Sequence, residues 1–366
     1  MKINHLDLFS GIGGFHLGFE RAGYEITSYF SEIDKHAIAV YKHQFPTSTY
    51  VGSVTNVRGA DLPRINLITF GSPCQDFSLA GNRKGMEGQR SSLVLEAIRL
   101  ISECRPSVFV WENVKGTFSS NDGADFWAII QAFTDIGGYR LEWQLLNTSW
   151  FLPQNRERIY LVGYSTTTGG DWRGVLPIAE GNRYSVDPAL NQGKSDLILR
   201  VKSATSLGYE EATSGDTIYT SRTQSETRRG RVGKQKAQTL ETSCNQAVIQ
   251  PNYTYEKVNE TIRRNDFKEG EVKAMDLYNK TLRDESPALT QPEHNGISLF
   301  DGYRIRRLTP IECERLQGFP DQHTAYGNYD GEVKPMSNSQ RYKQCGNAVT
   351  VDVVAAVAKK CIPLFN

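Results

Sequence analysis

The sequence lacks the features that mark several protein classes. None of its six cysteines forms a Cys-x-x-Cys pair, which argues against a structural zinc site. No apolar run approaches the roughly 20 residues that span a bilayer, and residues 1–9 do not read as a signal peptide. We therefore expect a soluble, cytoplasmic protein with reduced thiols, no metal and no membrane partner. The formal net charge is only +1, so overall charge does not decide whether the partner is a polyanion.

What is present is enough apolar sequence for a core, in a chain of 366 residues that suits one large domain and a second one. Up to residue 165, short apolar strands alternate with segments of helical spacing, which predicts a doubly wound, mostly parallel α/β sheet. The predicted strands are 5–9, 24–30, 67–70, 108–111, 141–146 and 159–162. The predicted helices are 15–21, 35–45, 91–104 and a closing helix at 347–357.

Residues 165–300 have a different composition, rich in Thr, Ser, Asn and Gly with short apolar runs. This composition predicts a loop-rich second domain. Within it, residues 221–236 carry six Lys or Arg side chains against one acid, Glu226. Such a run could face phosphates, and a solvated loop is about equally consistent with it.

A glycine-rich loop, Asp7–Gly14, follows the first predicted strand and opens a helix. Glycines let the backbone approach a ligand, and Glu32 at the end of the second strand could accept ribose hydroxyl bonds. The pattern indicates a nucleoside-type cofactor, and it is shared by dinucleotide and S-adenosylmethionine enzymes. A tight turn beside a surface glutamate is the alternative.

A cysteine, Cys74, follows the strand 67–70 and a stiff Gly-Ser-Pro turn. Thiols beyond the carboxyl end of a parallel strand are candidate nucleophiles, although a lone cysteine is more often a small buried hydrophobe. The Gly-rich, basic stretch 80–90 suits a loop that closes over a polyanion, or else a solvated connection.

Polar side chains also end two further strands. Glu112 follows the apolar strand 108–111 and is a candidate for proton chemistry or, alternatively, a carboxylate that caps the next turn. Arg156 and Arg158 alternate with Glu157, so both face one side if the segment is extended. Their forked donors could hold a base carbonyl, a carboxylate or a phosphate, or form a salt-bridged strand start.

Together these residues resemble the DNA (cytosine-5) methyltransferase family, of the bacterial or phage restriction-modification type. The Ser-Pro-Cys-Gln and Gln-x-Arg-x-Arg segments are specific, and the resemblance spans the framework in the family's order. The matching segments are 7–14, 32, 71–78, 112–114, 154–163, 306–321 and 340–350.

The resemblance implies a Rossmann-like methyltransferase sheet with a smaller, loop-rich target recognition domain. The catalytic and cofactor-binding domain would comprise residues 1–165 plus 335–366, and the recognition domain residues 166–334. Segment 306–321 would organise the recognition domain.

The resemblance also implies a reaction. Cys74 would add to carbon 6 of a flipped cytosine, Glu112 would bind ring nitrogen 3 and the exocyclic amine, and Arg158 would bind the carbon 2 oxygen. Arg156 would support the site.

The implied cofactor is S-adenosylmethionine, which leaves as S-adenosylhomocysteine. Ser53 departs from the aspartate that the family usually places there to accept the adenine amino group; a hydroxyl is shorter and uncharged. The expected cofactor contacts are Phe9, Ser10, Gly11, Ile12, Gly14, Glu32, Ile33, Ser53, Pro73, Asn347 and Ala348.

The implied partner is double-stranded DNA, bound by a monomeric enzyme in the cytoplasm of a bacterial or phage-infected cell. A cognate restriction endonuclease is expected as a functional rather than a physical partner, although a solitary or phage-encoded enzyme stays open. The expected DNA contacts are Ser78, Arg83, Lys84, Arg228, Arg229 and Arg231.

Two other functions remain open. An RNA (tRNA) cytosine methyltransferase could use the same scaffold, although the long variable region favours DNA, because reading a duplex needs a dedicated surface. A catalytically silent DNA-binding homologue is the third possibility, and the presence of Cys74, Glu112 and Arg158 counts against it.

Overall fold

The computed structural model describes residues 1–72, 92–167, 174–179, 198–219, 232–251, 274–276, 281–283, 298–299 and 303–365. Its helices are α1 (Gly14–Arg21), α2 (Lys35–Gln44), α3 (Ser92–Cys104), α4 (Ala124–Asp135), α5 (Pro310–Leu316), α6 (Asn338–Asn347) and α7 (Val351–Cys361). None of them is both long and apolar enough to cross a membrane.

A seven-stranded sheet forms the first half of the fold, in the order β3-β2-β1-β4-β5-β8-β6. The pairings β3-β2, β2-β1, β1-β4 and β4-β5 are parallel, whereas β5-β8 and β8-β6 are antiparallel. The predicted doubly wound, mostly parallel sheet is therefore confirmed. Its strands are β1 (Lys2–Leu8), β2 (Glu25–Ser31), β3 (Thr49–Tyr50), β4 (Leu67–Gly71), β5 (Val108–Val114), β6 (Tyr139–Asn147) and β8 (Glu157–Ser165).

Apolar side chains cover both faces of this sheet, as parallel sheets require. On one face α3 and α4 pack through residues such as Leu100 and Phe133. On the other face α1 and α7 pack through residues such as Phe19 and Val357. The central strands read as nearly continuous apolar runs because they are buried on both sides.

The contact between α1 and α7 is unusually close because α1 carries glycine where the helices meet. A Cβ atom placed on Gly18 would lie 2.4 Å from Val354 Cγ1. The missing side chains let the last long helix of the chain pack against the first. As a result, residues from both ends of the sequence surround the same edge of the sheet.

The predicted closing helix at 347–357 is wrong in its bounds. The structure ends α6 at Asn347, continues through an extended Ala348 (φ −69°, ψ 152°), and starts α7 only at Val351. Of the valines that suggested one helix, Val353, Val354 and Val357 lie in α7, whereas Val349 lies in the break, which lets residues 346–348 turn toward the sheet edge.

The composition of residues 165–300 predicted a loop-rich domain, and the described part of it contains short strands. Six of these strands, together with β18 just beyond residue 300, form a sheet in the order β12-β11-β14-β18-β17-β15-β16, whose pairings are antiparallel. Its small core includes Ile218, Ala247 and Ile249. The remaining strands are β7 (Gln154–Asn155), β9 (Leu199–Lys202), β10 (Tyr209–Ala212), β11 (Thr217–Tyr219), β12 (Val232–Gly233), β13 (Ala237–Gln238), β14 (Gln246–Pro251), β15 (Ala274–Asp276), β16 (Thr281–Arg283), β17 (Ser298–Leu299), β18 (Tyr303–Arg307), β19 (Tyr326–Tyr329) and β20 (Glu332–Pro335).

Candidate active site

A cavity of about 450 Å³ opens at the carboxyl edge of the parallel strands, where open α/β sheets bind their ligands. Residues predicted from six separate segments of the sequence meet in its wall. They are Phe9, Gly11, Ile12, Glu32, Ile33, Ser53, Glu112, Arg156, Arg158, Asn347 and Ala348.

The glycine loop after β1 has a backbone that most residues avoid. Gly11 and Gly13 have φ values of 53° and 83°, and Phe9 itself has a φ of 51°. A left-handed conformation at an aromatic residue is strained and must be held by its surroundings. Two backbone hydrogen bonds do so, from Ser10 N to Ser31 O (3.1 Å) and from Gly13 N to Ser10 O (3.0 Å).

The Glu32 carboxylate fastens this loop to the end of β2. Its Oε2 accepts a 2.9 Å hydrogen bond from Gly11 N, and its Oε1 accepts from Ile33 N (2.7 Å) and Asp34 N (2.9 Å). Because a carboxylate oxygen can accept two hydrogen bonds, Oε2 keeps capacity for a ligand hydroxyl. The carboxylate thus shapes the cavity wall even without a ligand.

Two predicted cofactor contacts, Ser10 and Gly14, are not among the described residues that line the cavity. A Cβ atom on Gly14 would lie 2.6 Å from Val349 Cγ2, so this glycine is required by packing. Ser10 is buried, and its Oγ has no hydrogen-bond partner. Their contacts with a cofactor stay predictions.

Ser53, the departure from the family pattern, does line the cavity. Its hydroxyl lies 3.0 Å from Thr55 Oγ1. The preceding turn is held by a 2.8 Å hydrogen bond from Ser31 Oγ to Gly52 O. The Ser53 hydroxyl therefore belongs to the cavity wall and has Thr55 Oγ1 as a local hydrogen-bond partner.

Glu112 and Arg158 face each other on neighbouring strands. Glu112 lies two residues before the end of β5 and is buried, and Arg158, the second residue of β8, lies two positions along the register from it. Arg158 Nε lies 3.1 Å from Glu112 Oε1, but the contact lacks hydrogen-bond geometry, and Oε1 has no hydrogen-bond partner. The cavity thus presents a charged acceptor and a forked cation side by side.

Arg156 lines the same cavity as Arg158, but the two side chains have different partners. It is buried, and its guanidinium donates to the backbone, from Nη2 to Ala348 O (2.8 Å) and from Nη1 to Gly346 O (3.5 Å). Burial lowers the pKa of Arg156 to about 10, with repulsion from Arg158 adding to the effect. It remains a cation at neutral pH and holds the break between α6 and α7 against the cavity.

Sequence reasoning missed the role of Asn113. Its Nδ2 donates to Ser72 O (3.1 Å) and Ser72 Oγ (3.2 Å), and Trp111 Nε1 also donates to Ser72 Oγ (3.1 Å). Asn113 Oδ1 in turn accepts from Val114 N (2.7 Å). The sequence feature that could have indicated this role is the polar Asn113 directly after the buried apolar residues of β5. These bonds fix the backbone two residues before Cys74.

Sequence reasoning also missed an ion pair at the rim. Lys343 Nζ lies 2.6 Å from Asp34 Oδ2, joining α6 to the start of α2, and both residues line the cavity. Burial alone would raise the pKa of Asp34, but hydrogen bonds from Lys343, His36 N and Ala37 N lower it. No spacing in the sequence signals a pair separated by 309 positions.

Several predicted site residues lie outside the described residues, and their roles stay predictions. They are Cys74 with its neighbour Pro73, and the predicted DNA contacts Ser78, Arg83, Lys84, Arg228, Arg229 and Arg231.

Comparisons with known proteins agree with one family throughout. The profile described as C-5 cytosine-specific DNA methylase matches residues 3–363. An orphan methyltransferase, M.SPRI of Bacillus phage SPR, is 29% identical over all of this chain and 98% of its own length. The type II methyltransferase M1.ScrFI of Lactococcus lactis subsp. cremoris is 30% identical over all of this chain and 79% of its own length.

A solved structure shares the fold. The crystal structure of a putative DNA modification methyltransferase encoded within an Escherichia coli prophage is 24% identical, covers 99% of each chain and superposes with a TM-score of 0.57. The profile match extends over nearly the whole sequence, including every segment that builds the cavity. The chain belongs to the C-5 cytosine-specific DNA methylase family.

Proposed function

We propose that the protein transfers a methyl group from S-adenosylmethionine to carbon 5 of a cytosine flipped out of a specific duplex DNA sequence. The observation that carries this proposal is the Glu112–Arg158 pair, set in the same cavity as the glycine loop and residues 346–348. Ser72, which is two residues before Cys74 in the sequence, also lines that cavity.

The cavity fits the cofactor in size and chemistry. About 450 Å³ lies within the usual range for small-molecule sites, roughly 300–1,000 Å³. Ile33, an aliphatic side chain that is 78% exposed at the rim, offers an apolar surface for a ring, and Glu32 offers an acceptor for hydroxyl groups. The unpartnered Ser10 Oγ lies in the loop beside them. When bound, S-adenosylmethionine supplies an electrophilic methyl group on a sulfonium.

Glu112 and Arg158 suit the edge of a cytosine. The Oε1 atom without a hydrogen bond can pair with the exocyclic amine or with a protonated ring nitrogen 3. The Arg158 guanidinium, a rigid forked donor, can bind the carbon 2 oxygen. Both interactions strengthen as the ring gains electrons, so they stabilise the transition state more than the ground state.

Cys74 is the proposed nucleophile. Its thiolate adds to carbon 6, and the electron pair displaced to carbon 5 forms the bond to the methyl carbon while the carbon–sulfur bond of the sulfonium breaks. A base then removes the carbon 5 proton, and Cys74 leaves as carbon 5–carbon 6 unsaturation returns. A free thiol has a pKa of about 8.5, so local activation is expected.

The DNA must open for this chemistry. Extruding a base costs a few kcal/mol, which contacts to the DNA backbone can offset. We assign Ser78, Arg83 and Lys84 to the strand near the flipped base, and the Arg228–Arg231 stretch to phosphates. We also propose that the enzyme acts as a cytoplasmic monomer within a restriction-modification system; two of its relatives are named type II methyltransferases.

The test is methylation itself. Bisulfite sequencing of DNA from cells that express the chain should show one modified cytosine within a fixed sequence context, and the Cys74→Ser variant should show none while still binding duplex DNA. Glu112→Gln should lose about 100-fold or more in rate. Full turnover by Cys74→Ser, or methylation of a transfer RNA pool in preference to duplex DNA, would refute the proposal.

A further inference from the structure

Gln344 on α6 is a buried polar side chain without a partner. It is 6% exposed and lines the cavity, yet neither its Oε1 nor its Nε2 has a hydrogen-bond partner. Buried amides are nearly always hydrogen-bonded, because leaving donors and acceptors unpaired is costly. An unpaired carboxamide on a residue that lines a cavity indicates a ligand that completes its bonds.

The helix that carries Gln344, α6, is held in place by contacts with α5 and with the residues on either side of α5. Tyr342 and Cys345 pack into a core with α5, Tyr342 Oη donates to Leu308 O (2.7 Å), and Gln317 Nε2 donates to Cys345 O (2.8 Å). A Cβ atom on Gly346 would lie 2.7 Å from the backbone of Glu241 and Thr242, so the end of α6 contacts that turn directly. The helix cannot rotate to hide Gln344, which therefore stays on the cavity wall.

The neighbours of Gln344 place it on the cofactor side of the cavity. Lys343 pairs with Asp34, which follows the residues Glu32 and Ile33 proposed to hold the nucleoside. Three residues later, Asn347 and Ala348 line the same wall. The base-binding groups, Glu112 and Arg158, come from β5 and β8 instead.

A carboxamide presents one acceptor oxygen and two donor hydrogens in one plane. The amino-acid end of S-adenosylmethionine presents the complement, an ammonium group that donates and a carboxylate that accepts. We propose that Gln344 binds this amino-acid end. The inference deepens the proposed function and rests on it.

The test compares two ligands that differ at that end. S-adenosylhomocysteine keeps the amino-acid group, and 5′-methylthioadenosine lacks it. Isothermal titration of both should show that Gln344→Met weakens S-adenosylhomocysteine about 10- to 100-fold, the loss of one or two hydrogen bonds to charged groups. Binding of methylthioadenosine should change by less than about twofold, because that ligand never reached the amide.

The matched control is Gln340→Met, one turn earlier on the same helix and not among the described residues that line the cavity; it should leave both dissociation constants unchanged. The melting temperature of ligand-free Gln344→Met should not fall, because the substitution removes unpaired polar atoms. Gln344→Asn, which shortens the side chain by one methylene, should weaken the binding of S-adenosylhomocysteine and leave that of methylthioadenosine unchanged. This variant provides the same test if Gln344→Met does not fold.

The outcomes are distinct. Equal weakening of both ligands would show a structural role and overturn the inference, as would unchanged affinity for S-adenosylhomocysteine with a raised KM for DNA, which would place Gln344 at the base. Failure of the wild-type protein to bind S-adenosylhomocysteine would refute the proposed function instead.

Discussion

Arg156 Nη2 donates a 2.8 Å hydrogen bond to the carbonyl oxygen of Ala348, joining residues that are 192 positions apart. The bond attaches the chain just before β8 to the break between α6 and α7. Because Ala348 lines the cavity, this buried arginine holds in place a segment that we propose to contact the cofactor.

We expect Arg156→Met to weaken S-adenosylhomocysteine binding and to lower stability, because it leaves two carbonyl groups without their donor. The loss of stability should be about 1–3 kcal/mol, and Arg156→Lys should fall between the variant and the wild type. Urea unfolding and isothermal titration measure the two effects. Wild-type affinity in Arg156→Met would show that the 346–348 segment holds its position without this bond.

We expect Asn113→Asp to reduce kcat while leaving the affinity for DNA unchanged. The aspartate keeps the acceptor for Val114 N but cannot donate to Ser72, so Ser72, two residues before Cys74, keeps only the bond from Trp111 Nε1. Small displacements of a reacting group can cost about 100-fold in rate. Ser72→Ala is the milder control, since it keeps the Ser72 carbonyl. Single-turnover kinetics on duplex DNA measure the chemical step. An unchanged rate in Asn113→Asp would show that the Asn113–Ser72 hydrogen bonds are not needed for it.

We expect Gly18→Ala to destabilise the fold by about 1–3 kcal/mol, since the new methyl group would lie 2.4 Å from Val354 Cγ1. The higher helix propensity of alanine compared with glycine offsets up to about 1 kcal/mol of this destabilisation. Combining it with Val354→Ala should give less destabilisation than the two single variants sum to. Strict additivity in denaturant unfolding would mean that α1 and α7 can separate freely.

We expect a paired Arg228→Ala and Arg229→Ala substitution to weaken binding to every duplex sequence alike. If each arginine neutralises one phosphate, the slope of log K against log salt should become shallower by about 0.9 per contact. Titration at several salt concentrations measures this slope. An unchanged slope would remove both residues from the DNA interface.

We expect the Asp34–Lys343 pair to make a pH-dependent contribution to stability. The folded-state pKa of Asp34 lies below its ordinary value of 3.8, so the contribution is present above about pH 4 and is lost as pH falls through the folded value. Asp34→Asn keeps an N-cap residue for α2 and removes the charge. Its deficit at pH 7 should be below about 1 kcal/mol, since the pair is partly exposed, and should shrink as pH falls through the folded-state pKa and in high salt. A deficit independent of pH would assign the effect to the cap.

The sequence predicted the sheet and most of the cavity because those features are local. Apolar runs end in polar residues at Glu32, Ser72 and Glu112, and parallel strands bring such ends to one edge. The resemblance implied that Arg156 supports the site, but its acceptor was not predictable, because the carbonyl group of Ala348 lies far along the chain. Likewise, the valines after residue 348 indicated a helix but not where it begins, since the break at Ala348 is held by tertiary bonds. The absence of hydrogen-bond partners for the Gln344 amide depends on its three-dimensional surroundings, so it could not be predicted from the sequence.

The close contact of α1 with α7 also bears on how the protein is made. The wall of the cavity joins residues near position 10 to residues near position 348, so a nascent chain has the glycine loop but no complete cavity wall until the residues near position 348 have been synthesised. Contacts of such high sequence separation form late and slowly. The first half of the sheet must therefore wait, with part of its apolar surface uncovered, until α7 has been made.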